Sequence, residues 1–168
     1  MSNPNPNPNP NPKSLFILYG SQKGNAEYIA KNLQTTICES NLYVSNQCMD
    51  LNSAKMVDLK NDSFLTVIIC STTGNGDTPC NADAWWRSIK LRSVPKDKFS
   101  GMPFCVLGLG DTNYDKFCYM GKSIDKRLHE LGGIRCIDLH CADEATTMEE
   151  TIESWKDKLI HFLSTNPV

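Results

Sequence analysis

Apolar and polar positions follow two rhythms along this chain. Unbroken apolar runs at residues 15–20 ("LFILYG"), 64–70 ("FLTVIIC") and 103–110 ("PFCVLGLG") predict strands buried on both faces. A weaker run at 42–49 and the run "IRCIDLH" at 134–140 predict two more strands. Between them the apolar positions repeat at helical spacing. Residues 26–38 carry Ala26, Ile29, Leu33 and Ile37 on one stripe. Residues 82–91 predict a helix, and a short one is expected at 53–59. Residues 114–131 place Phe117, Ile124, Leu128 and Leu131 on one face, with Gly132-Gly133 as the stop. Residues 148–163 turn Ile152, Trp155, Leu159 and Phe162 inward. Strand–helix alternation with continuous apolar strands predicts an α/β fold. Its form is a five-stranded, doubly wound parallel sheet of order 2-1-3-4-5, with helices on both faces.

The first residues break the pattern. Residues 3–12 are five Asn-Pro repeats, in which each Pro removes a backbone donor and restricts its neighbour. Residues 1–13 are therefore expected to form a disordered tail, ahead of one domain at 14–165. A formal net charge of −2 argues against nucleic acid as the main partner, which would select a basic surface. No apolar stretch is long enough to span a membrane and no secretory signal opens the chain, so a cytoplasmic protein is expected. The chain has 8 cysteines and none forms a CxxC pair, which favours buried free thiols over an extracellular disulfide framework.

Sheets of this kind bind ligands beyond the carboxyl ends of their strands, where the strand order reverses. Three turns therefore carry the candidate chemistry. After the first strand come Ser21, Gln22, Lys23, Gly24, Asn25 and Ala26. Ser21 and Asn25 offer polar side chains, Gly24 lets the backbone approach closely, and Lys23 adds charge. The helix that follows begins with unpaired N–H groups and a positive dipole end. The spacing fits neither a P-loop nor a dinucleotide fingerprint. It is either a phosphate cradle or a plain strand-to-helix turn capped by Asn25. After the third strand comes a long turn at 71–86, with Ser71, Thr72, Thr73, Gly74, Asn75 and Gly76 as its candidate contacts. Gly74 would let a peptide turn its carbonyl or its N–H to a ligand; a long surface loop is the alternative. After the fourth strand come Leu109, Gly110, Asp111, Thr112, Asn113, Tyr114, Asp115, Lys116, Phe117 and Cys118. Tyr114 is either a ring for a flat ligand to stack on or a residue packed at the helix start. One gripping loop, one adaptable loop and one aromatic loop at one edge suit a flat, phosphorylated cofactor such as FMN. His129, His140 and His161 lie on separate elements, so neither an acid–base set nor a metal site is expected.

"LYGSQKGNAE", "STTGNGD", "LGLGDTNYDKF" and "GKSIDKRLHELGG" together resemble the flavodoxin-like, FMN-binding domain of diflavin reductases. That group includes cytochrome P450 reductase, methionine synthase reductase and the reductase of cytosolic iron–sulfur assembly. The resemblance runs from about residue 14 to 162. It implies that residues 21–26 hold the phosphate, 71–74 touch the flavin N5 edge, and 109–118 form the second ring loop with Tyr114 stacked on the ring. It aligns Asp143 and Glu144 with an acidic pair near the flavin. Thr73 stands where P450 reductase has an aromatic, and Lys23 stands where many relatives have Thr. Thr73 and the run from "GKSIDKRL" to "ADE" look most like the methionine synthase reductase branch.

The resemblance implies an FMN domain that takes electrons from an FAD- and NADPH-binding reductase module. It passes them to a protein acceptor, methionine synthase-like or a haem or iron–sulfur protein. No such second module is found in the sequence. The acidic run Asp143, Glu144, Glu149, Glu150 and Glu153 would dock a basic partner, or simply form a solvated helix start that suits the dipole. Two other functions stay open: a small FMN-dependent quinone-type reductase, and a binding module without redox chemistry.

Overall fold

The computed structural model describes residues 12–42 and 44–167. The expected tail therefore lies outside the described residues, apart from Pro12 and Lys13. The chain runs β1 (Ser14–Gly20), α1 (Asn25–Glu39), β2 (Asn46–Asp50), a 3-10 turn (Ser53–Met56), α2 (Leu59–Asp62) and β3 (Ser63–Ser71). It continues through α3 (Asp83–Lys90), β4 (Pro103–Gly110), α4 (Tyr119–Glu130), β5 (Ile134–Arg135), β6 (His140–Asp143) and α5 (Met148–Thr165). All strand pairs are parallel, in the order β2-β1-β3-β4-β5, with β6 also on β4.

Alternation along the central strands feeds two cores. Leu15 and Ile17 of β1 face α1 and α5, where Leu33, Ile37, Trp155 and Leu159 are buried. Phe16 and Leu18 face the opposite layer, with Trp85 of α3 and Ile124 and Leu128 of α4. Burying a large apolar side chain contributes about 1.5–3 kcal/mol. The two-sided covering explains why these strands read as unbroken apolar runs.

Four elements differ from the sequence pattern. The second strand begins at Asn46 rather than at 42, because Leu42 and Val44 pack on the core while the chain crosses back to the sheet. The expected helix at 53–59 is a 3-10 turn and a separate α2, whose first turn is capped by Asp58 accepting from Asn61 N–H. The helix expected from Tyr114 begins at Tyr119, because Cys118 takes a left-handed φ of 50° that ends the loop. The fifth strand is split. After a last bond from Cys136 N–H to the Phe104 carbonyl, residues 137–139 leave the ladder, Asp138 turns its carbonyl to the His140 ring, and β6 rejoins β4 alongside Leu107–Gly110.

α4 lies unusually close to β4. A Cβ on Gly121 would stand 2.6 Å from Gly108 Cα, and one on Gly110 would stand 2.7 Å from Cys118 N. No larger residue fits that seam without lifting the helix. Thr72 reinforces the placement from β3's end, its hydroxyl accepting from Met120 N–H at 3.1 Å.

Asp143, at the end of β6, ties down the loop between β4 and α4. Its carboxylate accepts from Thr112 N–H at 3.0 Å, Thr112 hydroxyl at 2.7 Å, Ala145 N–H at 2.9 Å and Thr146 hydroxyl at 3.0 Å. Burial disfavours its charged form. The hydrogen bonds from Thr112, Ala145 and Thr146 outweigh that and bring its pKa down to about 2.

Gly121→Ala is expected to destabilise the fold in urea unfolding. Overpacking costs about 1–3 kcal/mol and outweighs the roughly 1 kcal/mol helix-propensity gain. Lys126→Ala, on the exposed face of α4, should stay within about 0.5 kcal/mol. A stable Gly121→Ala protein would mean that the seam is not tight. Asp143 gives a pH signature as well. Its folded pKa lies below the unfolded value of about 3.9, so its stabilisation is complete above about pH 4. It is lost as the pH falls through about 2. The unfolding midpoints of wild type and Asp143→Asn should differ at about pH 5 and converge near pH 2; an equal gap at both would sink this account.

Candidate functional site

The carboxyl ends of β1, β3 and β4 open onto one cavity of about 510 Å³. Its walls come from all three sequence-predicted loops: Gln22, Lys23 and Asn25 from the first; Ser71, Thr72, Thr73 and Gly74 from the second; Leu109, Gly110, Asp111, Tyr114 and Lys116 from the third. Glu144 closes the far side.

The first loop is braced from below. Ser21 N–H donates to Asn81 Oδ1 at 2.8 Å, and Cys80 N–H donates to Gln22 Oε1 at 3.0 Å. Ser21 is buried, and its Oγ accepts from Gly24 N–H at 2.9 Å. Gly24 sits at φ +97° with open space beside it. Asn25 does not cap α1; Gly24 holds the cap position and no side chain satisfies the first turn. The leading N–H groups of the helix thus stay available, with the positive end of the dipole behind them. Asn25 instead donates its amide to Glu144 Oε1 at 3.1 Å, joining the first loop to the end of β6. Ala26 turns into the core beneath.

The second loop is a tight hairpin. Thr73 and Asp77 exchange backbone bonds of 2.9 and 2.7 Å, and Gly74 and Gly76 take positive φ between them. Such φ values favour glycine, which has no Cβ to clash. Gly74 faces the cavity. Asn75 is exposed beyond it, and Lys116 packs over Gly76, so the second and third loops touch.

The third loop places Tyr114 at the cavity with 65% of its surface exposed. It does not pack at the helix start, which lies further along. Asp111 turns back to accept from Asn113 N–H at 2.8 Å. Thr112 is held by Asp143, and Asp115 points to solvent. Phe117 lies against Gly110 under Lys122, and Cys118 is buried behind the wall. Asp143 likewise stands behind the wall; of the acidic pair, Glu144 faces the cavity.

Asn81 belongs to the long turn after β3 but is not one of its sequence-predicted contacts. Nothing in sequence spacing signals a residue 60 positions away as the brace of the first loop. Glu149, Glu150 and Glu153 are exposed in the first turns of α5 at the same sheet edge, with Glu153 paired to Lys156 at 3.2 Å. Among the described residues no group of His, Cys, Asp or Glu is arranged to hold a metal, and no helix is long and apolar enough to cross a membrane.

The chain matches the flavodoxin family over residues 17–155. It is 35% identical to bovine methionine synthase reductase over 90% of this chain and 22% of that protein. It is also 35% identical to bovine NADPH-dependent diflavin oxidoreductase 1 over 86% of this chain and 24% of that protein. It thus spans less than a quarter of the length of these relatives. In fold it is similar to the flavodoxin of Streptococcus pneumonia TIGR4, with a TM-score of 0.73 at 20% identity, covering 90% of this chain and 99% of that one. With a parallel sheet in this order, and three loops meeting beyond it, the chain belongs to the flavodoxin family of FMN-binding electron-transfer domains.

Proposed function

We propose that this chain carries electrons from an NADPH- and FAD-dependent reductase module to a protein acceptor, in the manner of methionine synthase reductase. The observation that carries the reading is the single cavity built by all three loops at the carboxyl edge of the sheet. Acceptors of the P450 or iron–sulfur assembly type are the alternatives within the same chemistry.

The residues present fit FMN. The uncapped start of α1, Gly24 and Lys23 suit a phosphate dianion, whose charge the dipole end and the ammonium both favour. Tyr114 offers a free face for ring stacking. The Gly74 peptide, on the cavity wall, would be the group to bond the N5 edge of such a ring. When bound, FMN supplies the conversion between two-electron and one-electron transfer. The chain's own work is to grip, orient and electrostatically bias the ring. Asp111 and Glu144 on the wall disfavour added negative charge there. Glu149 and Glu150 extend that negative surface outward, where a basic partner would dock and be steered.

A second reading, a small FMN-dependent reductase of quinones, rests on Thr73. Tyr114 is the one aromatic residue lining the described cavity, so the Thr73 side lacks a covering ring. Steady quinone turnover by the isolated protein would favour it.

The protein should take up FMN stoichiometrically, seen as flavin absorbance near ~370 and ~450 nm after gel filtration. Tyr114→Ala should weaken uptake at least about tenfold, the loss of roughly 1.4 kcal/mol of stacking. Gly74→Pro cannot adopt φ +47° and should shift the flavin's potentials. No uptake of FMN would end the electron-transfer reading. Reversing Glu149 and Glu150 to Lys should slow transfer to a basic acceptor and flatten its salt dependence. Unchanged rates and salt slope would place docking elsewhere.

A further inference from the structure

The ring loop ends on a cysteine that has a second thiol beside it. Cys118 is buried, and its Sγ leans to the edge strand, 3.9 Å from the Ala142 carbonyl. A Cβ on Gly108 would stand 3.4 Å from Cys118 Cβ and 3.6 Å from its Sγ. Gly108 is the register partner of Cys141. Register partners in a parallel pair face the same way, one strand spacing of about 4.8 Å apart. Cys118 therefore lies over the β4–β6 seam, on the face to which Cys141 points.

The two thiols differ in accessibility. Cys141 is half-buried on the edge strand, whereas Cys118 is closed off. The neighbouring Cys118 thiol holds Cys141 down at about 7, and Cys141 in turn pushes Cys118 upward. Lys122 of α4 adds to the lowering of Cys141, against its partial burial and Asp125. Elsewhere burial pushes the Cys70 and Cys105 thiols up, Cys70 to about 12, which makes them poor nucleophiles. An accessible, readily ionised thiol beside a buried partner is the layout of an attacking and a resolving cysteine.

We propose that Cys118 and Cys141 form a reversible dithiol–disulfide couple that sets the grip of the ring loop on the flavin, with small disulfides of the glutathione type as oxidant. The Cys141 thiolate attacks one sulfur of the oxidised glutathione, forming a mixed disulfide and releasing one glutathione thiolate. The mixed disulfide leaves Cys141 without a proton or a charge and so removes the neighbour that pushed Cys118 upward. Cys118 gives its proton to the released glutathione thiolate, its Sγ attacks Cys141 Sγ, and the second glutathione leaves. The two protein thiols lose two electrons and two protons in all, and one glutathione disulfide becomes two glutathiones. The bond fastens the loop's last residue to β6, beside Asp143, which already holds Thr112. The effect on the flavin rests on the FMN reading above; the thiol couple does not.

The full-length protein, free of FMN and loaded with it, would be equilibrated in glutathione buffers of graded redox ratio, acid-quenched, alkylated and mapped by mass spectrometry. A peptide pair joined through Cys118 and Cys141 is expected. It should be absent from Cys118→Ser and Cys141→Ser, and Cys118→Ser should accumulate glutathione on Cys141. Loading with FMN should move the midpoint ratio at least about tenfold, and by linkage oxidation should change FMN affinity by the same factor. Glutathione stranded on Cys141 of the wild type, or a cross-link between other cysteines, would overturn the couple. A cross-link with the same midpoint in both forms would overturn its hold on the flavin. Failure to bind FMN in any redox state would overturn the FMN reading and the hold, while the mapping of the FMN-free protein still decides the couple.

Discussion

The contact between α4 and β4 is the constraint on which the site depends. Gly121 rests on Gly108, and the backbone at Cys118 rests on Gly110. Because no side chain separates helix from strand, the chain leaving β4 has little room in which to turn. It meets the helix through the left-handed residue Cys118. A non-glycine residue tolerates that conformation when its surroundings fix it. Here the Thr72 hydroxyl on Met120 N–H and the buried side chain of Cys118 do so. The same contact brings Lys116 over Gly76, and so sets the second and third loops against each other. The cavity's width is thus a consequence of three missing side chains, at Gly108, Gly110 and Gly121.

The first loop is positioned independently. Its support comes from Asn81 and Cys80, whose carbonyls Asn52 holds in turn. One bond across the mouth, from Asn25 to Glu144, connects this side to the other. At the start of α1 the cavity has the positive end of the helix dipole, Lys23 and the Asn25–Glu144 pair, while the third loop sets Asp111 and Lys116 on its wall. The walls thus carry charges of both signs, with unpaired backbone donors at the first loop.

Much of this was legible in the sequence because it follows from periodicity. Two-sided burial made the runs at β1, β3 and β4 unmistakable, and the sheet order places their ends together. The three loops were legible as turns for the same reason. The start of α4 was not, because the apolar period through Phe117 continues unbroken while the backbone changes hand at Cys118. The split of the fifth strand was also hidden. Ile137 still buries its side chain and Leu139 still packs against the core, so the hydrophobic pattern persists where the hydrogen-bond ladder does not. Asn81 escaped notice since bracing from a distance leaves no local trace.

The split of the fifth strand also explains how two adjacent acids come to do different work. A continuous strand over 134–140 would end before Asp143 and leave it in a loop. Instead β6 carries the ladder on to Asp143, opposite Gly110. Gly110 and Asp143 share one face of the pair, so the Asp143 carboxylate lies against the turn that leaves β4. There it gathers donors from Thr112, Ala145 and Thr146. Glu144 follows, with its N–H donating to the Gly110 carbonyl and its side chain facing the mouth, where it accepts from Asn25. One acid fixes the loop and its neighbour charges the opening. A sequence pair that looks like two equivalent carboxylates is divided into an inner and an outer role by where the strand resumes.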